Sequence, residues 1–336
     1  MVEDSTSGAG RLLTPSPLHS RPLARRPVLA PLTAESPDQL CDDKVLLDLW
    51  HPMGAIETMP RNRVWHDQLL GHPLTTGRAP DGTLWVWKRA ANDPPVGPWP
   101  ADGPPAATLP VLERYGYLWT SLGAPRPLFH IREAEESDRR LLHACSVTLR
   151  TSAPRSIENF LDMGHFPFIH TAVLGEEPHT EVKDYNVEAS VADQEILATE
   201  CVFYQPQAAA NSSGGAEVDY EYRVPHPHCS ALYKSSAIHQ ERFDVIALFV
   251  QALDQEHIRA HMWLCLLDDD QPDWALRRFQ VSIFGQDKPI LENQLPRRLP
   301  LDPRAETPIR ADKSSVAYRR WLGQLGVRYG VIRGAA

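Results

Sequence analysis

Between residues 141 and 267 the chain returns six times to one pattern: LLHACSVTLR, EILATECVFYQ, VDYEYRV, SALYKSSAIHQ, RFDVIALFVQALD and IRAHMWLCLL. Each segment is alternating or apolar and rich in β-branched and aromatic residues, the marks of a strand with at least one buried face. Consecutive segments of this kind satisfy their backbone groups by pairing with one another. An antiparallel sheet of roughly six strands is therefore expected.

Residues 46–88 have the same character on a smaller scale. WHPMGAIETM, RVWHDQLLGHPLTTGRA and TLWVWK, with Pro80-Asp81-Gly82 as a turn, predict a small antiparallel β module. Residues 89–109 carry Pro94, Pro95, Pro98, Pro100, Pro104 and Pro105. Proline lacks an N–H and fixes φ, so this stretch is read as a loop and cannot be a helix or a central strand. ERYGYLWTSL at 113–122 predicts one further strand that closes the module. Trp85, Trp87, Trp99 and Trp119 are read as core or interface rather than as a stacking platform, because large aromatics dominate burial in small β modules.

Past the large sheet, DWALRRFQVSIFGQDKPILENQLP and SVAYRRWLGQLGVRYG show helical patterns separated by a proline-rich link. The expected class is α+β: a β module packed on a larger antiparallel sheet with helices on one side. Residues 1–43, rich in Ser, Pro and Arg, read as a disordered arm, 44–125 as the β module and 126–336 as the main domain. The prolines of PVLAPLTAESP, after Arg25-Arg26, do not make a secretory apolar core.

A net charge of −9 gives no attraction to a phosphate backbone, which argues against nucleic acid and leaves small molecules or proteins as partners. No apolar run reaches the roughly 18 residues needed for a membrane span. Cys41, Cys145, Cys201, Cys229 and Cys265 are odd in number, scattered and without a CxxC, as in a reducing compartment, so a cytoplasmic location is the default.

The stretch ENFLDMGHFPFIH at 158–170 carries the chemistry. It is expected to be helical through about Gly164, which would place Asp162 and His165, three apart, on one helix face. There the carboxylate could accept one imidazole N–H and leave the other ring nitrogen for a metal. Pro167 is expected to break the helix and let His170 swing back toward His165. Two imidazoles and one carboxylate occupy one face of an iron(II) octahedron, so a third ligand should be an acid far along the chain. Asp287 in FGQDKPILENQ is the candidate, and spacing alone does not choose it over Asp268, Asp269 or Asp270. PHPHCS at 225–230, with His226, His228 and Cys229, has no second Cys/His pair and reads as a sheet edge or pocket wall.

With these motifs the chain resembles the oxygenase (alpha) subunits of Rieske-type non-haem iron oxygenases. Within them it is similar to the branch of vanillate, dicamba and methylxanthine demethylases. The resemblance runs from about Leu46 onward and is carried by ENFLDMGHFPFIH, FGQDKPILENQ and ADKSSVAYRRWL. It implies a helix-grip (START-like) catalytic domain, Fe(II) bound by His165, His170 and Asp287, Asp162 linking iron to the electron donor, and Asn159 beside the metal. It also implies Cys/His pairs for a [2Fe–2S] cluster in the β module, and this chain has neither C-x-H nor C-x-x-H. The expectation is thus a truncated, degenerate Rieske-like module without its cluster, similar in kind to the cluster-free subunit of methylxanthine N7-demethylation.

The reading that follows is an oxygenase that uses O2 and receives NAD(P)H-derived electrons from a separate Rieske-bearing reductase or oxygenase subunit, within a trimer or mixed hexamer. Its reaction would be C–H hydroxylation, or N- or O-demethylation with loss of formaldehyde, on a small aromatic or heteroaromatic substrate. Phe166, Phe168 and Leu174 are expected in the pocket wall. The rival readings are a non-catalytic scaffold subunit, which the complete ligand set opposes, and a binding protein that reuses the cavity without redox chemistry.

Overall fold

A computed structural model describes residues 40–334 except 191–193, 208–213, 237–240 and 268–269. Most of the expected N-terminal arm lies outside the described residues. Its last residues are packed: Cys41 is buried and donates its backbone N–H to Leu70 O, and Asp43 caps the short helix α1 (Lys44–Leu47).

The N-terminal region forms two sheets rather than one. Strands β1 (His51–Ala55), β2 (Arg63–Leu69), β3 (His72–Arg78), β4 (Leu84–Lys88) and β5 (Val96–Pro98) are followed by β6 (Val111–Arg114) and β7 (Tyr117–Thr120). They pair in the orders β4-β3-β2-β5 and β1-β7-β6. The proline-rich stretch is therefore not all loop, since Val96-Gly97-Pro98 pairs with β2 at the sheet edge, the one sheet position that tolerates proline.

One segment read only as strand-like and one expected as a single strand are both hairpins. RVWHDQLLGHPLTTGRA folds at Leu70-Gly71 and ERYGYLWTSL at Tyr115-Gly116, and all four turn residues have positive φ. Such turns match strand twist but ordinarily call for Asn or Gly in the first position. Here tertiary contacts hold the strained residue. Leu70 is fully buried and donates to Ala252 O, and the Tyr115 hydroxyl donates to Phe129 O while accepting from Ile131 N–H.

The large sheet has seven strands, one more than expected. They are β8 (Arg139–Leu149), β9 (Asn186–Ser190), β10 (Glu195–Gln205), β11 (Ala216–His226), β12 (Cys229–Ser235), β13 (Phe243–Ala252) and β14 (Ile258–Leu267), antiparallel in the order β8-β14-β13-β12-β11-β10-β9. One face packs Ala247, Phe249 and Trp263 against Tyr115, Tyr117 and Trp119 of the N-terminal strands. The opposite face carries Leu232, Leu248 and Met262 toward the helices. Covered on both sides, β13 is apolar almost throughout, as a doubly buried strand must be.

Between β8 and β9 lie α2 (Ala153–Leu161) and α3 (Phe166–Ile169), and after the sheet come α4 (Asp273–Asn293) and α5 (Lys313–Leu325). A parallel pair, β15 (Leu299–Pro300) with β16 (Val331–Ile332), ties the C-terminal segments together. The architecture is α+β, a mostly antiparallel sheet gripped by a long helix. Among the described residues no helix is long and apolar enough to cross a membrane.

Candidate metal centre

α2 begins where the Ser152 hydroxyl accepts the Arg155 N–H, with Pro154 in the first turn, where a missing N–H costs nothing. It ends earlier than expected, at Leu161. Asp162 is the residue that closes it, with extended backbone. Asp162 and His165 therefore do not share a helix face. Asp162 instead folds the chain into a turn: its Oδ1 accepts Gly164 N–H at 2.7 Å and its Oδ2 accepts His165 Nδ1–H at 3.2 Å. The local competition of an Asp side chain with the backbone explains both the helix end and the contact.

Pro167 does not break a helix either. It occupies the first turn of α3, a single helical turn flanked by His165 and His170. That turn brings the two rings to a centroid distance of 5.0 Å, so the five-residue spacing works through a short new helix rather than a kink. The loop that follows folds back on it. Thr171 Oγ1 donates to Pro167 O, Ala172 N–H donates to Gly175 O, and Gly175 lies directly on the Phe166-Pro167 backbone.

Asp287 comes from α4, whose long axis carries it across the sheet face to the two histidines. His165 Nε2 and His170 Nε2 are 3.1 Å apart, and Asp287 Oδ1 lies 3.1 Å from His170 Nε2 and 3.4 Å from His165 Nε2. Among the described residues these three form the one group of His, Cys, Asp or Glu side chains whose ligand atoms converge in this way. Of the alternative acids, Asp268 and Asp269 lie outside the described residues and Asp270 is exposed.

The imidazole tautomers follow from their outer partners. His165 Nδ1–H is held by Asp162, and His170 Nδ1–H donates to Gln286 Oε1 at 2.9 Å. In the neutral rings both Nε2 atoms therefore present lone pairs, and they face each other and a carboxylate oxygen. Asp287 Oδ1 is buried and accepts no well-aligned hydrogen bond. Three acceptors this close repel unless a cation lies among them. Three ligands at right angles, each about 2.1 Å from a metal, would be about 3.0 Å apart, so the observed triangle fits a facial metal site. The electrostatics favour positive charge at this point, which a second proton on His165 supplies when no metal does. Burial opposes a charge on His165, yet the carboxylates of Asp162 and Asp287 push its pKa up to about 9. Burial raises Asp287, and the two histidines outweigh it and hold the carboxyl below its ordinary value.

The centre separates two hollows, and Asn159 and His165 line both. One is an apolar cavity between α4 and the sheet, walled by Phe160, Phe166, Leu174, Met262, Phe279 and Phe284. Phe166 and Leu174 line this cavity. Phe168 does not: it is 63% exposed, because one helical turn points it away from its neighbour Phe166. The other hollow is a polar groove lined by Asp162, Glu306, Asp312 and Arg319. Beneath it lies a buried ion cluster, in which Arg155 reaches Glu158 at 2.9 Å and Arg319 reaches the other oxygen of Glu158 at 2.5 Å. His226 and His228 do not join the metal group. They close the β11–β12 hairpin and pack with His51 of β1, all three buried.

Gln286 and the Arg155–Glu158–Arg319 cluster escaped the sequence reading. Gln286 adjoins Asp287, and adjacency to a candidate ligand was the available signal.

Residues 149–328 match the vanillate O-demethylase oxygenase C-terminal domain. A probable methylxanthine N7-demethylase, NdmC of Pseudomonas sp. (strain TJI-51), is 45% identical over 294 residues, spanning 87% of this chain and 99% of that protein. The chain belongs to the Rieske oxygenase alpha-subunit family. Within that family, the methylxanthine N1-demethylase NdmA of Pseudomonas putida is 26% identical over 222 residues, 63% of this chain and 59% of its own length. The solved structure of Pseudomonas putida CBB5 NdmA with caffeine superposes with a TM-score of 0.66 at 20% identity, covering 83% of this chain and 91% of that one. Dicamba monooxygenase bound to dicamba superposes at 0.63 with 15% identity, covering 83% and 97%. The last two likenesses concern the fold.

Proposed function

We propose that the chain is the catalytic subunit of a multicomponent non-haem iron oxygenase that demethylates or hydroxylates a small heteroaromatic substrate, with electrons delivered by a separate Rieske-bearing protein. The observation that carries the reading is the triangle of His165 Nε2, His170 Nε2 and Asp287 Oδ1, three acceptors 3.1–3.4 Å apart with both Nδ1–H groups committed elsewhere. These residues would hold iron(II), leaving positions open on the opposite face. Iron in such a site supplies the reductive activation of dioxygen needed to hydroxylate a C–H bond, and a hydroxylated N- or O-methyl group then loses formaldehyde.

The chain's own residues have distinct tasks. Asp162 and Gln286 fix the tautomer and aim of the two imidazoles. The aromatic and aliphatic walls of the cavity exclude water and seat a flat ring. NdmC is named as a probable methylxanthine N7-demethylase, and its 45% identity makes a methylated purine dione the first substrate class to test here.

The electron source is the second half of the proposal. No cysteine occurs between Cys41 and Cys145, so the N-terminal sheets lack the thiolates of a [2Fe–2S] centre. The proline-rich stretch is instead stitched into place: Asp93 Oδ2 accepts from Thr75, Trp87 and the Ala90 N–H. Asp162, partly exposed at the groove, would be the contact through which a partner's cluster reaches His165, in a trimer or mixed hexamer.

The test is reconstitution. The purified chain should take up about one iron, lose it on His165→Ala, and release formaldehyde from methylxanthines only when a Rieske reductase is added. Turnover with a plain flavin reductase alone would overturn the partner assignment. Metal-free protein that still assembles with a cluster-bearing subunit would favour a scaffold.

A further inference from the structure

On its sheet side the apolar cavity has one polar stretch of wall. β11, β12 and β13 lie side by side, and their register sets Tyr220 opposite Lys234 and Lys234 opposite Asp244. Directly opposed residues in antiparallel strands project to the same face with Cβ atoms about 5 Å apart. Two residues along the same strands, Tyr222, Leu232 and Ile246 occupy that face and line the cavity, as do Tyr220 and Lys234 themselves. Lys234 is the one lysine or arginine among the lining residues.

Tyr220 and Lys234 are both equipped to donate. The Tyr220 phenol oxygen accepts from Gln205 Nε2, which leaves its own O–H available. Burial lowers the Lys234 pKa to about 8, with Asp244 opposing the fall, so the ammonium form still prevails at neutral pH.

We propose that Lys234, assisted by Tyr220, determines specificity in this cavity by donating to an exocyclic carbonyl oxygen of a planar ring substrate, and so selects which edge of the ring faces His165, His170 and Asp287. The inference rests on the cavity being the substrate site of the proposed oxygenase and names the chemistry it recognises. Asp244 already balances the lysine charge, which disfavours a second carboxylate and favours a neutral carbonyl acceptor.

Titration calorimetry on the full-length, iron-loaded protein without reductase tests this. Three probes suffice: caffeine, with two ring carbonyls; 7-methylpurine, with none; and dicamba, an aromatic carboxylate. Wild type should bind caffeine about tenfold or more tighter than 7-methylpurine, the scale of a hydrogen bond to a charged donor. Lys234→Met should abolish that preference, and Lys234→Arg should keep part of it. A preference undiminished in Lys234→Met, or absent from wild type, overturns the inference. Dicamba binding more tightly than caffeine overturns the carbonyl assignment in favour of a carboxylate. Should Lys234→Met fail to fold, Tyr220→Phe decides, and an unchanged caffeine preference again overturns the proposal. Iron content separates this outcome from the oxygenase reading. Protein that discriminates carbonyls without holding iron retains Lys234 and loses the oxygenase, and iron-replete protein indifferent to carbonyls does the reverse.

Discussion

Replacing Gly175 by alanine probes how the ligand pair is held. A Cβ built at this position would lie 2.7 Å from Pro167 N, 2.9 Å from Pro167 Cα and 3.0 Å from Phe166 C. Favourable carbon contacts are about 3.5–4.0 Å, so the two backbones must part by about 0.5–1 Å. No rotamer change relieves the clash, since every atom involved is main chain. Phe166 and Pro167 sit inside the single turn that joins His165 to His170, so the displacement is transmitted to both imidazoles. Overpacking of this kind costs about 1–3 kcal/mol, and any of it released by moving the histidines apart appears as weaker metal binding, up to about a hundredfold. Competition with a chelator measures the iron affinity of Gly175→Ala, and a melting curve of the metal-free protein measures the strain borne by the fold. If the variant binds iron as tightly as wild type and melts at the same temperature, the packing of Gly175 on that turn does not position the ligands, and the argument fails.

Other substitutions test separate links. Gln286→Leu removes the acceptor of His170 Nδ1–H from an exposed position; iron affinity should fall by about 10–100-fold with little change in metal-free stability. Arg319→Met leaves the buried Glu158 dependent on Arg155 alone and weakens the hold on Glu306; about 3 kcal/mol of stability should be lost, and an unshifted denaturation midpoint would count against the cluster. Burial pushes the thiols of Cys41, Cys201 and Cys265 up to about 12 and Cys145 to about 11, and raises Cys229 further. At pH 8 the thiolate form is then a fraction of about one in a thousand or less, so the native protein should react negligibly with a disulfide reagent and all five cysteines should react in denaturant.

Local pattern was enough for the sheet and for the pair of histidines. Period-two alternation marks a strand wherever one face is buried, and it located six of the seven strands of the large sheet; β9, five residues with no fully buried position, left too faint a trace. Asp162, His165 and His170 lie within one short stretch, so their kinship was legible as a motif. What the motif could not convey was its conformation. It reads equally well as one long helix, and only the Asx turn at Asp162 and the packing of Gly175 on Pro167 make it two helices with both imidazoles on one point. Asp287 illustrates the same limit over distance. Nothing in its neighbourhood distinguishes it from Asp270, and Gln286 meets His170 across 116 residues of chain. The hairpins at Leu70-Gly71 and Tyr115-Gly116 were hidden because their first residues contradict turn preferences, a conflict settled by hydrogen bonds from Leu70 to Ala252 and from Tyr115 to Phe129. Sequence determined which residues carry periodicity and chemistry, since those are properties of short segments. Which carboxylate meets the two histidines, which face Phe168 takes and which cavity Lys234 lines depended on contacts between remote segments, and these exist only once the chain has folded.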